Sequence, residues 1–250
     1  MTGMLTIAGL WKSFDGFVAT RDVHLTLNQG ETHAVIGPNG AGKTTFFNLI
    51  TGHIRPDRGS VNFEGTELTG RPPEKIVRMG IARSFQRINI YPRLSVFENV
   101  QVALIAHKRQ HWNLFTPGRS LHREDTADLL RLVGLSGEAI EVAGELSYGK
   151  QKQLELAIAL AAQPRLLLLD EPTAGMSPHE TADAIALIRD IVKARGLTLL
   201  FTEHDMSVVF GIAERISVLH HGEIIASGTP EAVRDDPEVR RVYLGEHAHE

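Results

Sequence analysis

Between a short apolar run, Thr32 to Ile36, and a segment with helical spacing, Lys43 to Thr51, the chain reads Gly37-Pro38-Asn39-Gly40-Ala41-Gly42-Lys43-Thr44. That order fits G-x-x-x-x-G-K-[ST], and a strand before it with a helix after it is the context the pattern requires. Glycines let successive backbone N–H groups turn inward around an anion, and the following helix adds unpaired donors and the positive end of its dipole. In such a loop Lys43 reaches the outer phosphates of a nucleotide and the Thr44 hydroxyl faces Mg²⁺. The alternative is a glycine turn with only a structural task. With every required position filled in the right context, nucleotide binding is the stronger reading.

A second segment supplies the other half of such a site. Leu166 to Leu169 is a continuous apolar run bounded by charge, the pattern of a strand buried on both faces of a parallel sheet. It ends in Asp170, which places a carboxylate at the carboxyl edge of that sheet, where it can hold a Mg²⁺ shell. Glu171 follows directly and is the best general-base candidate in the chain, able to orient and polarise water for in-line attack. His204, just past an expected strand at 197–202, can reach the outer phosphate from the next strand end; taken alone it reads as an ordinary surface histidine.

The rest of the chain falls into an α/β pattern around these two segments. Leu5 to Ile7, Val23 to Leu27 and Gly59 to Phe63 read as strands, the first two with wet outward faces, hence an antiparallel layer. Pro73 to Met79 reads as a short helix with proline in its first turn. Ser95 with Glu98 forms a capping box opening a helix to about His107, and helical spacing returns over Ser120 to Val133. The block 87–158 therefore reads as a helical subdomain inserted into an α/β core made of 1–86 and 159–250. Helix 178–195, helix 205–213, strand 215–219 and strand 223–227 complete the alternation, with Thr229-Pro230 capping a terminal helix.

Composition narrows the partners. The 250 residues hold 26 Lys+Arg against 30 Asp+Glu, a net charge of −4 that argues against a dedicated nucleic-acid binder. Lys108, Arg109, Arg119 and Arg123, with Trp112 and Phe115 between them, make one basic stretch, read as an exposed connection near a protein partner or a membrane surface. The longest apolar run, Leu156 to Ala162, is far short of the roughly 18 residues a spanning helix needs, and Met1 to Leu10 lacks the features of a secretory signal, which together predict a cytoplasmic chain. There are no cysteines, so no disulfide scaffold, thiol nucleophile or Cys-ligated zinc. The 12 histidines form no His-Glu-x-x-His; His220-His221 adjoin a turn, and His247 and His249 offer only a weak adventitious site.

Taken in order, the glycine loop, Arg83-Ser84-Phe85-Gln86, Leu146-Ser147-Tyr148-Gly149-Lys150-Gln151, Leu169-Asp170-Glu171-Pro172 and Glu203-His204-Asp205 resemble the ATP-binding subunit of ABC transporters over essentially the whole chain. Gly80 to Gln86, Ala174-Gly175-Met176, the basic insertion and the ending Val242-Tyr243-Leu244-Gly245-Glu246 resemble the branched-chain amino acid uptake group; urea and amide uptake subunits are the nearest competitors. The resemblance implies a P-loop NTPase core of RecA-like type with an antiparallel β layer and a helical subdomain carrying the signature segment. It implies ATP with Mg²⁺ as cofactors, Thr45 beside Thr44 in the nucleotide set, Gln86 touching Mg²⁺ and the attacking water, and His204 bonding the γ-phosphate. Phe14 matches the aromatic that stacks on adenine, although it fits equally as a rim residue of the antiparallel layer. Ser147 and Gly149 match the signature that binds the ATP of an opposite subunit, and a helix starting near Lys150 with Ser147 as N-cap gives that contact a mechanism.

Implied partners are a second ATPase subunit, identical or not, in a head-to-tail pair sandwiching two ATPs, and membrane permease subunits reached through the segment Asn89 to Phe97. An extracellular binding protein is met only indirectly, no nucleic acid is involved, and the expected location is the cytoplasmic face of the membrane. Three residues depart from the family pattern: Tyr148 stands for glycine, Lys150 for glutamine, and Ser177 for an aspartate that makes a cross-subunit contact. A soluble ABC ATPase acting on ribosomes or DNA would usually carry two fused cassettes or a long coiled-coil insertion, and neither is present. A GTPase-like switch lacks its Asn-Lys-x-Asp motif.

Overall fold

A computed structural model describes residues 3–84, 88–108 and 117–246. The strands are β1 (Leu5–Phe14), β2 (Phe17–Leu27), β3 (Thr32–Ile36), β4 (Arg58–Phe63), β5 (Thr66–Glu67), β6 (Ile81–Arg83), β7 (Leu166–Asp170), β8 (Thr198–Thr202), β9 (Arg215–His220) and β10 (Glu223–Gly228). The helices are α1 (Lys43–Ile50), α2 (Pro73–Arg78), α3 (Val96–His107), α4 (Arg123–Leu132), α5 (Tyr148–Ala161), α6 (Pro178–Arg195), α7 (Met206–Ile212), α8 (Pro230–Asp235) and α9 (Pro237–Glu246).

Two sheets form. An antiparallel one runs β2-β1-β4-β5, and a larger one runs β10-β9-β3-β8-β7-β6. In the larger sheet β9, β3, β8, β7 and β6 are parallel and only β10 is antiparallel. β3, β7 and β8 are buried at every position, as expected of strands covered on both faces. The two-residue period of β7 divides its side chains between two cores. Leu166 and Leu168 join α1 and the antiparallel layer through Phe46, Phe47 and Ile50, whereas Leu167 and Leu169 join α5 and α6 through Leu156 and Ile188.

Local sequence explains the helix boundaries. Ser95 and Glu98 close a reciprocal capping box at α3, Ser177 and Glu180 do the same at α6, and Ser147 caps α5. α4 begins at Arg123 rather than at Ser120, because Gly118–Ser120 winds as a 3₁₀ turn and His122 takes a left-handed backbone, φ 52°, which no α-helix continues through. The expected terminal helix is two, broken at Asp236, whose extended backbone is what a following proline favours. β5 and β6 are too short to show as periodic runs; β6 forms because Ile81, Ala82 and Arg83 pair in parallel with Leu166, Leu167 and Leu168. Of the basic stretch, Lys108 pairs with Asp125 at 2.7 Å and Arg123 lies over the Phe97 ring, while Arg109, Trp112 and Phe115 fall outside the described residues.

Because the five parallel strands point the same way, the segments after β3, β6, β7 and β8 meet along one carboxyl edge, the usual ligand edge of an α/β sheet.

Candidate nucleotide site

The glycine loop follows β3 and is fixed by close backbone contact. A Cβ on Gly37 would collide with the Leu219 carbonyl, and one on Gly42, whose φ is 104°, would collide with the Ala19 carbonyl. The loop is thus wedged between the antiparallel layer and β9, which is why small residues are obligatory there. Gly42 caps α1 without any side-chain hydrogen bond, and no acidic residue occupies the first turn. The opening N–H groups of α1, at Lys43, Thr44 and Thr45, therefore have no partner within the helix. Lys43 is 7% exposed, and its ammonium donates to the carbonyls of Gly37 at 2.6 Å and Pro38 at 3.1 Å. Pro38 and Thr45 are half-buried, Asn39, Gly40 and Thr44 are exposed, and Ala41 is buried. A helix start with donors unused by the helix, and one lysine folded beside it, suits a multiply charged anion.

Asp170 ends β7 with its side chain 2% exposed, held by two donors: the Thr202 hydroxyl to Oδ1 at 2.8 Å and an Arg83 guanidinium nitrogen to Oδ2 at 2.7 Å. Glu171 takes a left-handed backbone, φ 50°, and its N–H donates to both the carbonyl and the hydroxyl of Thr202 at 3.1 Å. A non-glycine residue in that region costs of order 1 kcal/mol and persists where surrounding contacts enforce it. Fully buried Glu203 accepts from the Thr173 N–H and hydroxyl and from the His204 N–H. His204 itself points outward, 63% exposed, its Nδ1 3.8 Å from Glu203. Burial pushes the Lys43 ammonium below the ordinary lysine range, against the pull of Glu171, Asp170 and Glu203. One lysine is thus shared electrostatically by three carboxylates at the ends of β7 and β8.

Phe14 closes the β1–β2 hairpin, paired with Phe17; both rings are exposed, and the Lys12 ammonium, held by Asp57 at 2.7 Å, lies 5.4 Å from the Phe14 ring centre. The contact of Ala19 with Gly42 brings this hairpin alongside the glycine loop. Ser147, Tyr148 and Gly149 gather elsewhere, with the opening of α6. Ser147 accepts from the Lys150 N–H, Gly149 leaves room for Glu180, and Tyr148 rests against Gly175. Lys150 pairs with Glu138 at 2.5 Å on the exposed surface, which raises its pKa and lowers that of Glu138. Ser177, one of the departures from the family pattern, serves as the α6 cap. α5 starts at Tyr148, two residues ahead of the expected start at Lys150. Gln86 lies outside the described residues.

Gln86 stands out in Arg83-Ser84-Phe85-Gln86 by the resemblance, whereas Arg83 and Thr202, which hold Asp170, and Glu203 have no role marked in the amino-acid order. The available signal is an arginine close to apolar residues, in a position where such charges are seldom buried without a partner.

A glycine loop opening a helix, with carboxylates converging on its lysine from adjacent parallel strands, defines a nucleotide-hydrolysing P-loop cassette. The chain belongs to the ABC transporter ATP-binding family: residues 20–174 match the ABC transporter model, and residues 223–249 match the model described as branched-chain amino acid ATP-binding cassette transporter. It is 40% identical over 97% of its length to the high-affinity branched-chain amino acid transport ATP-binding protein LivG of Escherichia coli K12, covering 98% of that protein. Its fold is similar to the ADP conformation of MJ1267, an ATP-binding cassette of an ABC transporter, with TM-score 0.87 and 31% identity over 98% of this chain and all of that one. It is also similar to the dimeric post-hydrolysis cassette MJ0796 bound to ADP and Pi, with TM-score 0.78 and 25% identity over 91% of this chain and 99% of that one. The protein is an ATPase subunit of an ABC transporter.

Proposed function

We propose that this subunit powers import of branched-chain amino acids, pairing head to tail with a second ATPase subunit and driving membrane permease subunits from their cytoplasmic side. The observation that carries the substrate class is the match of the terminal segment 223–249 to the branched-chain model, together with the 40% identity to LivG along nearly the whole chain. No helix among the described residues is long and apolar enough to cross a membrane, and the translocation path is assigned to the permease subunits. The transporter purified with this subunit and placed in proteoliposomes is expected to accumulate leucine, isoleucine or valine on addition of ATP. Uptake of urea or short amides instead would sink the substrate assignment.

Within the site, the α1 N–H groups and Lys43 hold the phosphate chain, Glu171 orients and deprotonates the attacking water, and His204 bonds the γ-phosphate. Ser147 and Gly149, at the start of α5, serve the ATP held by the opposite subunit. The donors suit Mg²⁺: all are hard oxygens, and three carboxylates, Asp170, Glu171 and Glu203, outnumber the cations Lys43 and Arg83. Among the described residues no three His, Asp or Glu side chains form a cage, which fits a cation that arrives with phosphates rather than a resident one. Thr44 and Asp170, with Gln86, would hold it, and it would neutralise phosphate charge.

Phe14 supplies the adenine platform. Phe14→Ala is expected to raise KM for ATP about 10-fold, the loss of one base–aromatic stack, with kcat little changed and Phe14→Tyr restoring the original value. Unchanged KM in Phe14→Ala would return Phe14 to the rim of the β layer.

A further inference from the structure

Arg83 is heavily engaged at the carboxyl edge, and the reaction described above gives it no task. Its side chain is 5% exposed, at the end of β6 and three residues before Gln86. The guanidinium Nη2 donates to Asp170 Oδ2 at 2.7 Å, and Nη1 donates to Asn48 Oδ1 at 2.7 Å and to Thr51 Oγ1 at 3.2 Å. The plane sits 5.5 Å from the Phe47 ring centre. Thr51 in turn donates to the Phe47 carbonyl and meets His53 Nδ1 at 3.0 Å.

The partners, Asn48 on α1 and Thr51 at its C-cap, are not arbitrary. Asn48 and Thr51 follow Thr44 by four and seven residues, so all three lie on one face of the helix. Arg83 therefore grips the face that carries Thr44 and, with its other arm, the carboxylate of Asp170. The Thr202 hydroxyl occupies the remaining Asp170 oxygen at 2.8 Å, which fixes rotation of the carboxyl group. A planar fork can hold two partners at a set separation in a way that a flexible ammonium cannot.

We propose that Arg83 is a positioning residue that sets the separation and orientation of Thr44 and Asp170, two of the three groups assigned above to the divalent cation. The inference rests on that assignment. Outer-shell partners of metal-holding side chains act in this way generally, by fixing the geometry of groups that do touch the ion.

The test is ADP affinity of the full chain, measured by calorimetry with Mg²⁺ and again in EDTA, alongside kcat and KM for ATP. Arg83→Lys keeps the charge and removes the fork. It is expected to cut the gain in affinity that Mg²⁺ confers by about 10-fold, the usual cost of losing an outer-shell partner, with affinity in EDTA unchanged. kcat falls, and KM for ATP, read with Mg²⁺ present, rises by up to the same factor. Asn48→Ala, which leaves the Asp170 pair intact and is the milder change for folding, moves the Mg²⁺ gain in the same direction by a smaller factor. Equal losses with Mg²⁺ and in EDTA overturn the inference and make Arg83 a structural residue only. A larger Mg²⁺ gain in Arg83→Lys also overturns it, by making Arg83 a competitor of the cation. Asp170→Asn separates the two layers of argument: if it loses the gain while Arg83→Lys and Asn48→Ala keep it, the inference falls and the role of Asp170 stands. If Asp170→Asn keeps the gain, both fall.

Discussion

Glu171→Gln is expected to bind ATP and stop there, with turnover reduced about 10²- to 10⁴-fold, the range that loss of a positioned general base produces. The amide preserves the size of the side chain and the backbone turn that Thr202 enforces, so the site should stay assembled. What is lost is the capacity to take a proton from water. With hydrolysis blocked, each closed pair of subunits has no route to reopen, and the variant should elute as a dimer in saturating ATP on size-exclusion chromatography. A monomer under those conditions would refute the head-to-tail pair for this chain, and a variant that still turns over would move the general base elsewhere.

Lys43→Met is expected to cost ATP affinity by two orders of magnitude or more, about 3 kcal/mol for the charge-assisted contacts to phosphate. The loss should exceed that of an exposed lysine for an electrostatic reason. Lys43 is drawn into the loop, and its ammonium offsets the fields of Glu171, Asp170 and Glu203. Methionine fills the stem's volume but leaves those carboxylates facing a triphosphate of the same sign. Calorimetry at low and moderate salt separates the parts: the repulsion should shrink as salt rises, whereas the lost direct contacts should not return. Affinity within a few-fold of the parent would mean that the α1 N–H groups alone hold the phosphates.

Much of the architecture is legible in the amino-acid order, and the reasons are specific. Leu166 to Leu169 announces a strand buried on both faces because both of its faces are used; the capping box of Ser95 with Glu98 marks a helix start through groups within three residues of one another. The glycine loop is local in the same sense. What escapes such a reading is non-local or short. β6 exists only because β7 lies beside it, and the partnership of Arg83 with Asp170 joins positions 87 apart in the chain. Helical spacing places the start of α4 at Ser120, and the left-handed backbone of His122 moves it to Arg123. The pairing of Lys150 with Glu138, 12 residues away, likewise carries no local mark.

The division of β7 between two cores bears on how such a chain can drift over generations. Asp170 stands at the tip of a strand whose odd and even leucines answer to different neighbours, one set to α1 and the β layer, the other to α5 and α6. A methyl group gained or lost on either side tilts the same strand, and the carboxylate at its end moves with it. Substitutions in the two cores are therefore not independent in their effect on ATP turnover, although the cores lie on opposite faces of the sheet. Viable histories are those in which a change in volume under one face is answered under the other, so the interior should vary in matched steps.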